Sequence, residues 1–132
     1  MLTGNFSVTT SSQMELKDIS GKINDIIKEN SVSDGICYLF NPHTTAGLTI
    51  NEGADPDVCD DIIQGLLHMV PSHPGYKHQE GNSPAHIMSS LIGCSLVINI
   101  ADGALQLGTW QKIFFCEFDG PRNRRLHWKI TG

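Results

Sequence analysis

The chain has 132 residues and a formal net charge of -5 at pH 7, which is the size of a single domain (1–132) that can bury its own core. The negative charge argues against nucleic acid or an anionic membrane surface as the main partner. No apolar run approaches the roughly 20 residues that span a bilayer, and the first residues are too polar for a signal peptide. Four cysteines stand far apart without a CxxC pair, which predicts reduced, mostly buried thiols of a cytoplasmic protein.

The first third of the chain changes between strand and helix patterns. Residues 6–10 alternate apolar and polar side chains, as in a half-buried strand, and the Ser-rich stretch after them predicts a hairpin with residues 14–17. From about Ser20 the isoleucines recur at helical spacing, which predicts a short amphipathic helix ending near Asn30. Residues 36–40 are apolar on both sides and indicate a central strand.

The middle of the chain predicts one strand and two helices. Residues 48–50 form the strand, and Asp55-Pro56-Asp57 then marks a helix start, because Asp can cap a helix and Pro suits its first position. Pro71 ends that helix. After a loop rich in His, Pro and Gly, Ser83-Pro84 opens a third helix. Its core side is predicted to hold Ile87, Met88, Leu91 and Ile92.

Strand patterns dominate the last third. Leu96, Ile98 and Ile100 alternate as one face of a strand, Asp102-Gly103 is a hairpin turn signal, and residues 113–118 are strongly apolar. Leu126, Trp128 and Ile130 then alternate with charged residues in a final strand. Together the elements predict an α+β fold: mainly antiparallel, sandwich-like sheets of about seven or eight short strands, with three helices packed outside.

Two polar, histidine-bearing segments are candidates for a functional site. In residues 41–61, capping and solvation explain the aspartates, which leaves His43, Thr44, Thr45 and Glu52 without a packing role. In residues 76–86, His86 falls at a helix start, where the positive helix end favours a neutral ring, and His78 precedes it in a loop.

Two or three neutral imidazoles with an open position are typical of a catalytic divalent-metal site. His43, His78 and His86 are therefore candidate ligands, with zinc as the first candidate metal and magnesium as the other. Two plainer interpretations stay open: hydrogen bonds from His43 to nearby hydroxyls, and simple solvation of two loop histidines.

Two further groups could contact a ligand. Arg122, Arg124 and Arg125 cluster in the last hairpin, where they could grip a phosphate or merely decorate a solvated turn. Trp110 and Gln111 follow a glycine and could approach a heterocycle, although Trp110 could equally fill the core.

Several motifs in one order resemble the YjbQ family and cover essentially the whole chain. They are the run from Pro42 to Glu52, Ala54 to Val58, Tyr76-Lys77-His78, Ala85-His86, Ser95-Leu96, Asp102-Gly103, Leu107 to Gln111 and Phe118 to Arg122. The resemblance implies an α+β fold assembled as a homotrimer, with pockets between subunits. It also implies a thiamine-phosphate synthase activity, which joins hydroxymethylpyrimidine diphosphate to a thiazole phosphate.

If this activity applies, our own hypothesis for the residues that carry the resemblance places the metal on His43, His78 and His86, and catalysis on His43, Thr44, Thr45 and Glu52. Contacts to a phosphorylated small-molecule substrate fall to Trp110, Gln111, Arg122 and Arg124. Pro84 stands where many members have a histidine, so one ligand would have to come from His43 or a neighbouring subunit. The alternatives are a non-enzymatic trimer that binds a metabolite or metal, and a metal-dependent hydrolase of a small phosphate ester.

Overall fold

The chain forms three helices and eight strands in a computed structural model that describes residues 1–132. The elements in chain order are β1 Leu2–Thr9, β2 Glu15–Asp18, α1 Ser20–Glu29, β3 Gly35–Phe40, β4 Ala46–Glu52, α2 Pro56–Met69, α3 Ser83–Ile92, β5 Ser95–Ala101, β6 Ala104–Leu105, β7 Gln111–Glu117 and β8 Asn123–Thr131. All strand pairs are antiparallel. The predicted α+β class is confirmed, and no helix is long and apolar enough to cross a membrane.

The strands form two sheets that share no hydrogen-bonded edge. A five-stranded sheet has the order β1-β8-β3-β5-β6, and a three-stranded sheet has the order β2-β7-β4. The predicted hairpin between residues 6–10 and 14–17 is wrong, because β1 pairs with β8 while β2 pairs with β7 in the other sheet. Phe6 and Leu16 pack against different apolar clusters. The two strands therefore bury their side chains in different cores, although the Ser-rich turn between them favours a hairpin.

β7 is buried on both faces and separates two apolar clusters. The larger cluster lies between the sheets and takes Ile113 and Phe115 of β7 together with the isoleucines of α1. The smaller one lies on the opposite face, where Phe114 and Cys116 pack against α2 and α3. The three helices therefore cover the two sheets from different sides.

Three predicted core residues are corrected by this arrangement. β3 is central, but its outer face carries Tyr38 and Phe40 at 41% and 48% exposure, because no element covers the outer side of the five-stranded sheet there. Leu91 is 60% exposed. The buried side of α3 centres on Met88 and Ala85 instead, because these residues face β7.

Close contact with β4 holds α3 in place. Gly47 lets the end of α3 approach the strand, since a Cβ at this position would lie 3.1 Å from the Gly93 carbonyl oxygen. The Leu48 N–H donates to that carbonyl at 3.0 Å, and the Ser89 hydroxyl donates to the Ala46 carbonyl at 2.6 Å. The helix that carries His86 is thereby tied to the strand that follows Thr45.

A buried ion pair joins the two sheets. Glu117 at the end of β7 is 0% exposed and Arg124 near the start of β8 is 6% exposed. The guanidinium of Arg124 donates to both carboxylate oxygens of Glu117, and the Thr10 hydroxyl donates to the carboxylate at 2.7 Å. Burial alone would raise the pKa of Glu117, but these hydrogen bonds, with that from the Asp119 N–H, hold it below its ordinary value.

Replacing Glu117 with Gln leaves the Arg124 cation buried without its counter-charge. We expect the free energy of unfolding in urea to fall by about 3–5 kcal/mol, the usual cost of breaking a buried pair from one side. Glu29→Gln, on the exposed end of α1, is the matched control and should change stability by no more than about 0.5 kcal/mol. Equal and small effects for both variants would show that the pair does not hold the sheets together.

Candidate functional site

A polar cavity of about 370 Å³ opens beside the buried ion pair, and no hydrophobic side chain lines it. It is lined by Pro42, His43, Thr44, Thr45, His78, Glu80, Asn82, His86, Arg122 and Arg124. The two histidine-bearing segments predicted from the sequence therefore meet at one place in the fold. We refer to this space as the central cavity.

The first wall is the turn between β3 and β4. Asn41 is buried, and its side-chain oxygen accepts a hydrogen bond from the His43 N–H at 2.9 Å, which sets the turn. Thr45 is buried, and both its hydroxyl and its carbonyl accept from Arg124, at 2.9 and 3.2 Å. Thr44 is exposed, so its hydroxyl is the one in this wall that a ligand can reach.

The backbone of Arg125 holds the His43 ring in place. The Nε2 atom of His43 lies 2.9 Å from the Arg125 nitrogen and 3.2 Å from the Arg125 carbonyl oxygen, so it accepts from the N–H in one tautomer or donates to the carbonyl in the other. Burial lowers the pKa of His43 below its ordinary value, and the positive charge of Arg124 lowers it further. The site therefore favours the neutral ring over the charged one, and the Nε2 atom is engaged with the Arg125 backbone rather than open to a metal.

The second wall brings His78 and His86 together. Their ring centroids are 5.2 Å apart and the planes are nearly perpendicular, at 86°. His86 lies in the first turn of α3, and the loop before that helix folds back at Gly81, whose N–H donates to the His78 carbonyl at 3.2 Å. The positive φ of 77° at Gly81 suits glycine and allows this return.

The three arginines have different environments. Arg124 is committed to Glu117 and Thr45, and the Arg125 side chain donates to Asn5 on the outer face of the five-stranded sheet. Arg122 donates from Nε and Nη2 to Asp119, at 2.7 and 2.9 Å, while its Nη1 makes no hydrogen bond. Its side chain is 50% exposed, so Arg122 is the arginine that can bind a ligand directly.

Three predicted site residues lie elsewhere. Glu52 pairs with Gln111 at the far end of β4 and β7, whereas the cavity adjoins the other end, at Thr45. Six residue-to-residue steps along the strand separate Ala46 from Glu52, a span of about 20 Å at about 3.3 Å per step. Trp110 is 63% exposed beside them. Within one chain, Glu52, Trp110 and Gln111 do not reach the central cavity, and their assigned roles stay predictions.

The donor set of one chain does not fit a metal ion. No three His, Cys, Asp or Glu side chains lie close enough together to hold one. His78 and His86 adjoin each other, but the Nε2 atom of His43 is already bonded to Arg125. The predicted zinc or magnesium ion would therefore need a ligand from outside the chain, and it stays a prediction.

Sequence reasoning missed the residues that support the cavity. Asp119 orients Arg122 and also accepts from the Asn82 side-chain amide at 2.9 Å. Glu80 lines the cavity directly. One feature of the sequence does point to this region. Glu117 is the single carboxylate in the apolar run 113–118, and a carboxylate there must find a buried partner.

The fold and the cavity define a two-sheet α+β domain with one pocket lined by histidines and arginines. The chain belongs to the family described as UPF0047 protein YjbQ-like, whose model matches residues 4–132. This confirms the resemblance drawn from the sequence motifs.

Relatives match along nearly the whole chain. A UPF0047 protein of Methanocaldococcus jannaschii is 54% identical over 96% of this chain and 92% of its own length. The UPF0047 protein YugU of Bacillus subtilis is 42% identical over 95% of this chain and 96% of its own length. A crystal structure of an uncharacterised YjbQ/UPF0047 family protein from Clostridium acetobutylicum is 50% identical, with a TM-score of 0.93 and coverage of 97% and 99% of the two chains.

These findings overturn the predicted function. None of these relatives is named as a thiamine-phosphate synthase, and a similar structure from Sulfolobus solfataricus, 31% identical with a TM-score of 0.93 over 99% of this chain and 96% of that one, is described as a YbjQ-like protein of unknown function. The prediction of a thiamine-phosphate synthase at an inter-subunit metal site is therefore wrong. The alternatives, a non-enzymatic trimer that binds a metabolite or metal and a metal-dependent hydrolase, find no support in these names either, because the similar structures are described as uncharacterised or of unknown function.

The lowered pKa of His43 predicts an acid-sensitive stability. With a folded pKa below the unfolded value of about 6.5, the neutral ring stabilises the fold above that value, and this contribution is lost as pH falls through the folded pKa. We expect the free energy of unfolding to drop between about pH 7.5 and pH 5. His43→Gln should reduce this drop, while His68→Gln on the exposed end of α2 should leave it unchanged. A drop of the same size in the His43 variant would contradict the assignment.

Proposed function

We propose that the chain binds a small molecule carrying a phosphate group in the central cavity, where paired imidazoles can exchange protons with it. The observation that carries the proposal is the lining of the cavity, which has no hydrophobic residue and directs several hydrogen-bond donors into one space. A phosphate offers several strong acceptor oxygens, and arginine is the residue best suited to bind them.

Several hydrogen-bond donors that line the cavity are available to a ligand. Arg122 contributes the free Nη1 of its guanidinium, which Asp119 holds in place. Thr44 contributes its exposed hydroxyl, and His78 and His86 contribute ring N–H groups. The first turn of α3 adds the positive end of a ten-residue helix, which favours an anion nearby.

The fixed charges around the cavity are largely paired. Glu117 neutralises Arg124, Asp119 offsets Arg122, and the Glu80 carboxylate opposes a bound anion. Net attraction for a phosphate therefore depends on the hydrogen bonds that the free nitrogen of Arg122, the Thr44 hydroxyl and the two imidazoles donate. An imidazole can also act as proton donor or acceptor in general acid–base chemistry.

The homotrimer implied by the family resemblance remains part of the proposal. Tyr38 and Val97 are cross-strand partners on the outer face of the five-stranded sheet, and Val97 is 62% exposed. Phe40 extends the same face. Exposed apolar side chains grouped in this way support a surface that a second copy of the chain covers.

Arg122→Gln tests the proposal with inorganic phosphate as the probe. Loss of a charged hydrogen bond should weaken phosphate binding by about tenfold or more, measured by isothermal titration calorimetry near pH 6.5. Arg125→Gln is the matched control, because that guanidinium donates to Asn5 and Ser7 away from the cavity. Equal weakening in both variants, or no phosphate binding by the unaltered chain, would contradict the proposal.

A further inference from the structure

A second cavity, of about 490 Å³, lies next to the central cavity and has a different character. We refer to it, after its one apolar wall, as the apolar cavity. It lies between the end of α2, the start of α3 and the end of β7. Six of its 14 lining residues form the apolar wall: Met14, Leu67, Val70, Ala85, Met88 and Phe118. The rest of the lining includes the polar side chains of Gln13, Ser72, Glu80, Asn82 and Asp119. A space of this size falls within the range of small-molecule sites, about 300–1,000 Å³.

The two cavities share a polar boundary. Glu80 and Asn82 line both of them, and the Arg122–Asp119 salt bridge of 2.9 Å joins a residue of the central cavity to one of the apolar cavity. The Asn82 side-chain amide donates to the same Asp119 carboxylate at 2.9 Å. A ligand held at Arg122 by a phosphate could therefore extend past Asn82 into the apolar cavity.

One atom at this boundary lacks a hydrogen-bond partner. The side-chain oxygen of Asn82 is buried and accepts no hydrogen bond, and buried polar groups in folded proteins nearly always have a partner. A ligand N–H or O–H group next to the phosphate would supply one. This unsatisfied oxygen distinguishes the boundary from a simple packing gap, in which apolar atoms would face each other.

We propose that the apolar cavity holds the body of the phosphorylated ligand. The substrate class is then a phosphate monoester whose apolar or aromatic body carries a hydrogen-bond donor close to the phosphate. This inference rests on the proposed function, because the phosphate in the central cavity anchors the ligand, and it adds the shape and polarity of the remainder.

Two probes that differ by one ring separate the contributions of the two cavities. Inorganic phosphate reports on the central cavity alone, whereas phenyl phosphate adds an aromatic body. On the full chain, calorimetry should give an affinity about tenfold higher for phenyl phosphate, since burial of the ring removes apolar surface from water.

A matched pair of leucine variants tests whether the apolar cavity supplies the higher affinity for phenyl phosphate. Leu67 lines the apolar cavity at 42% exposure, and Leu91 is an exposed leucine on α3 that lines neither cavity. Leu67→Asn should remove most of the advantage of phenyl phosphate while leaving phosphate affinity unchanged. Leu91→Asn should keep both affinities, and thermal unfolding confirms that each variant is folded.

The outcomes separate the two proposals. Equal affinities for phosphate and phenyl phosphate would overturn the apolar cavity as a ligand site and leave phosphate binding intact. The proposed ligand site in the apolar cavity would also be overturned if the higher affinity for phenyl phosphate persists in Leu67→Asn, or if Leu91→Asn loses it to the same extent. If neither probe binds, the proposed function fails and this inference fails with it.

Discussion

The ion pair between Glu117 and Arg124 is the interaction on which the arrangement of the two sheets depends. It links the last residue of β7 in one sheet to the start of β8 in the other, and it is closed by hydroxyls from Thr10 and Thr45, which flank β1 and β4. A buried charge pair is tolerated only when its hydrogen bonds are satisfied. The ends of four strands therefore have to meet at one point, and the chain must turn there.

That junction also forms the floor of the central cavity. Arg124 is withdrawn from solvent and lowers the pKa of His43 after burial has already lowered it, whereas Arg122 is held by Asp119 with one nitrogen free. One arginine thus supports the fold and the other faces the cavity, although they are two residues apart. The same acidic residue, Asp119, leads to the apolar cavity through Asn82. Structural and ligand-binding roles are therefore divided among neighbouring residues of a single turn.

Much of this organisation could be predicted from local patterns in the sequence. Asp55-Pro56-Asp57 does start α2, with the Asp55 carboxylate accepting from the Asp57 N–H at 2.9 Å, and the alternation around Leu126 does give β8 its buried face. The partner of β1 could not be predicted, because a turn signal does not say in which core a strand buries its side chains. The sequence also did not predict that Glu52 and Trp110 lie far from the histidines of the central cavity. Motifs that are close in sequence order can lie at opposite ends of the same strand, and only the pairing of β4 with β7 reveals which end each one occupies.

The most direct test of the account is NMR of the six histidine rings during a titration with inorganic phosphate. The account predicts that the ring signals of His43, His78 and His86 shift together and saturate at one phosphate concentration. The signal of His68, on the exposed end of α2, should stay in place. A shift of equal size at His68, or no saturable shift at His78 and His86, would contradict a phosphate site in the central cavity.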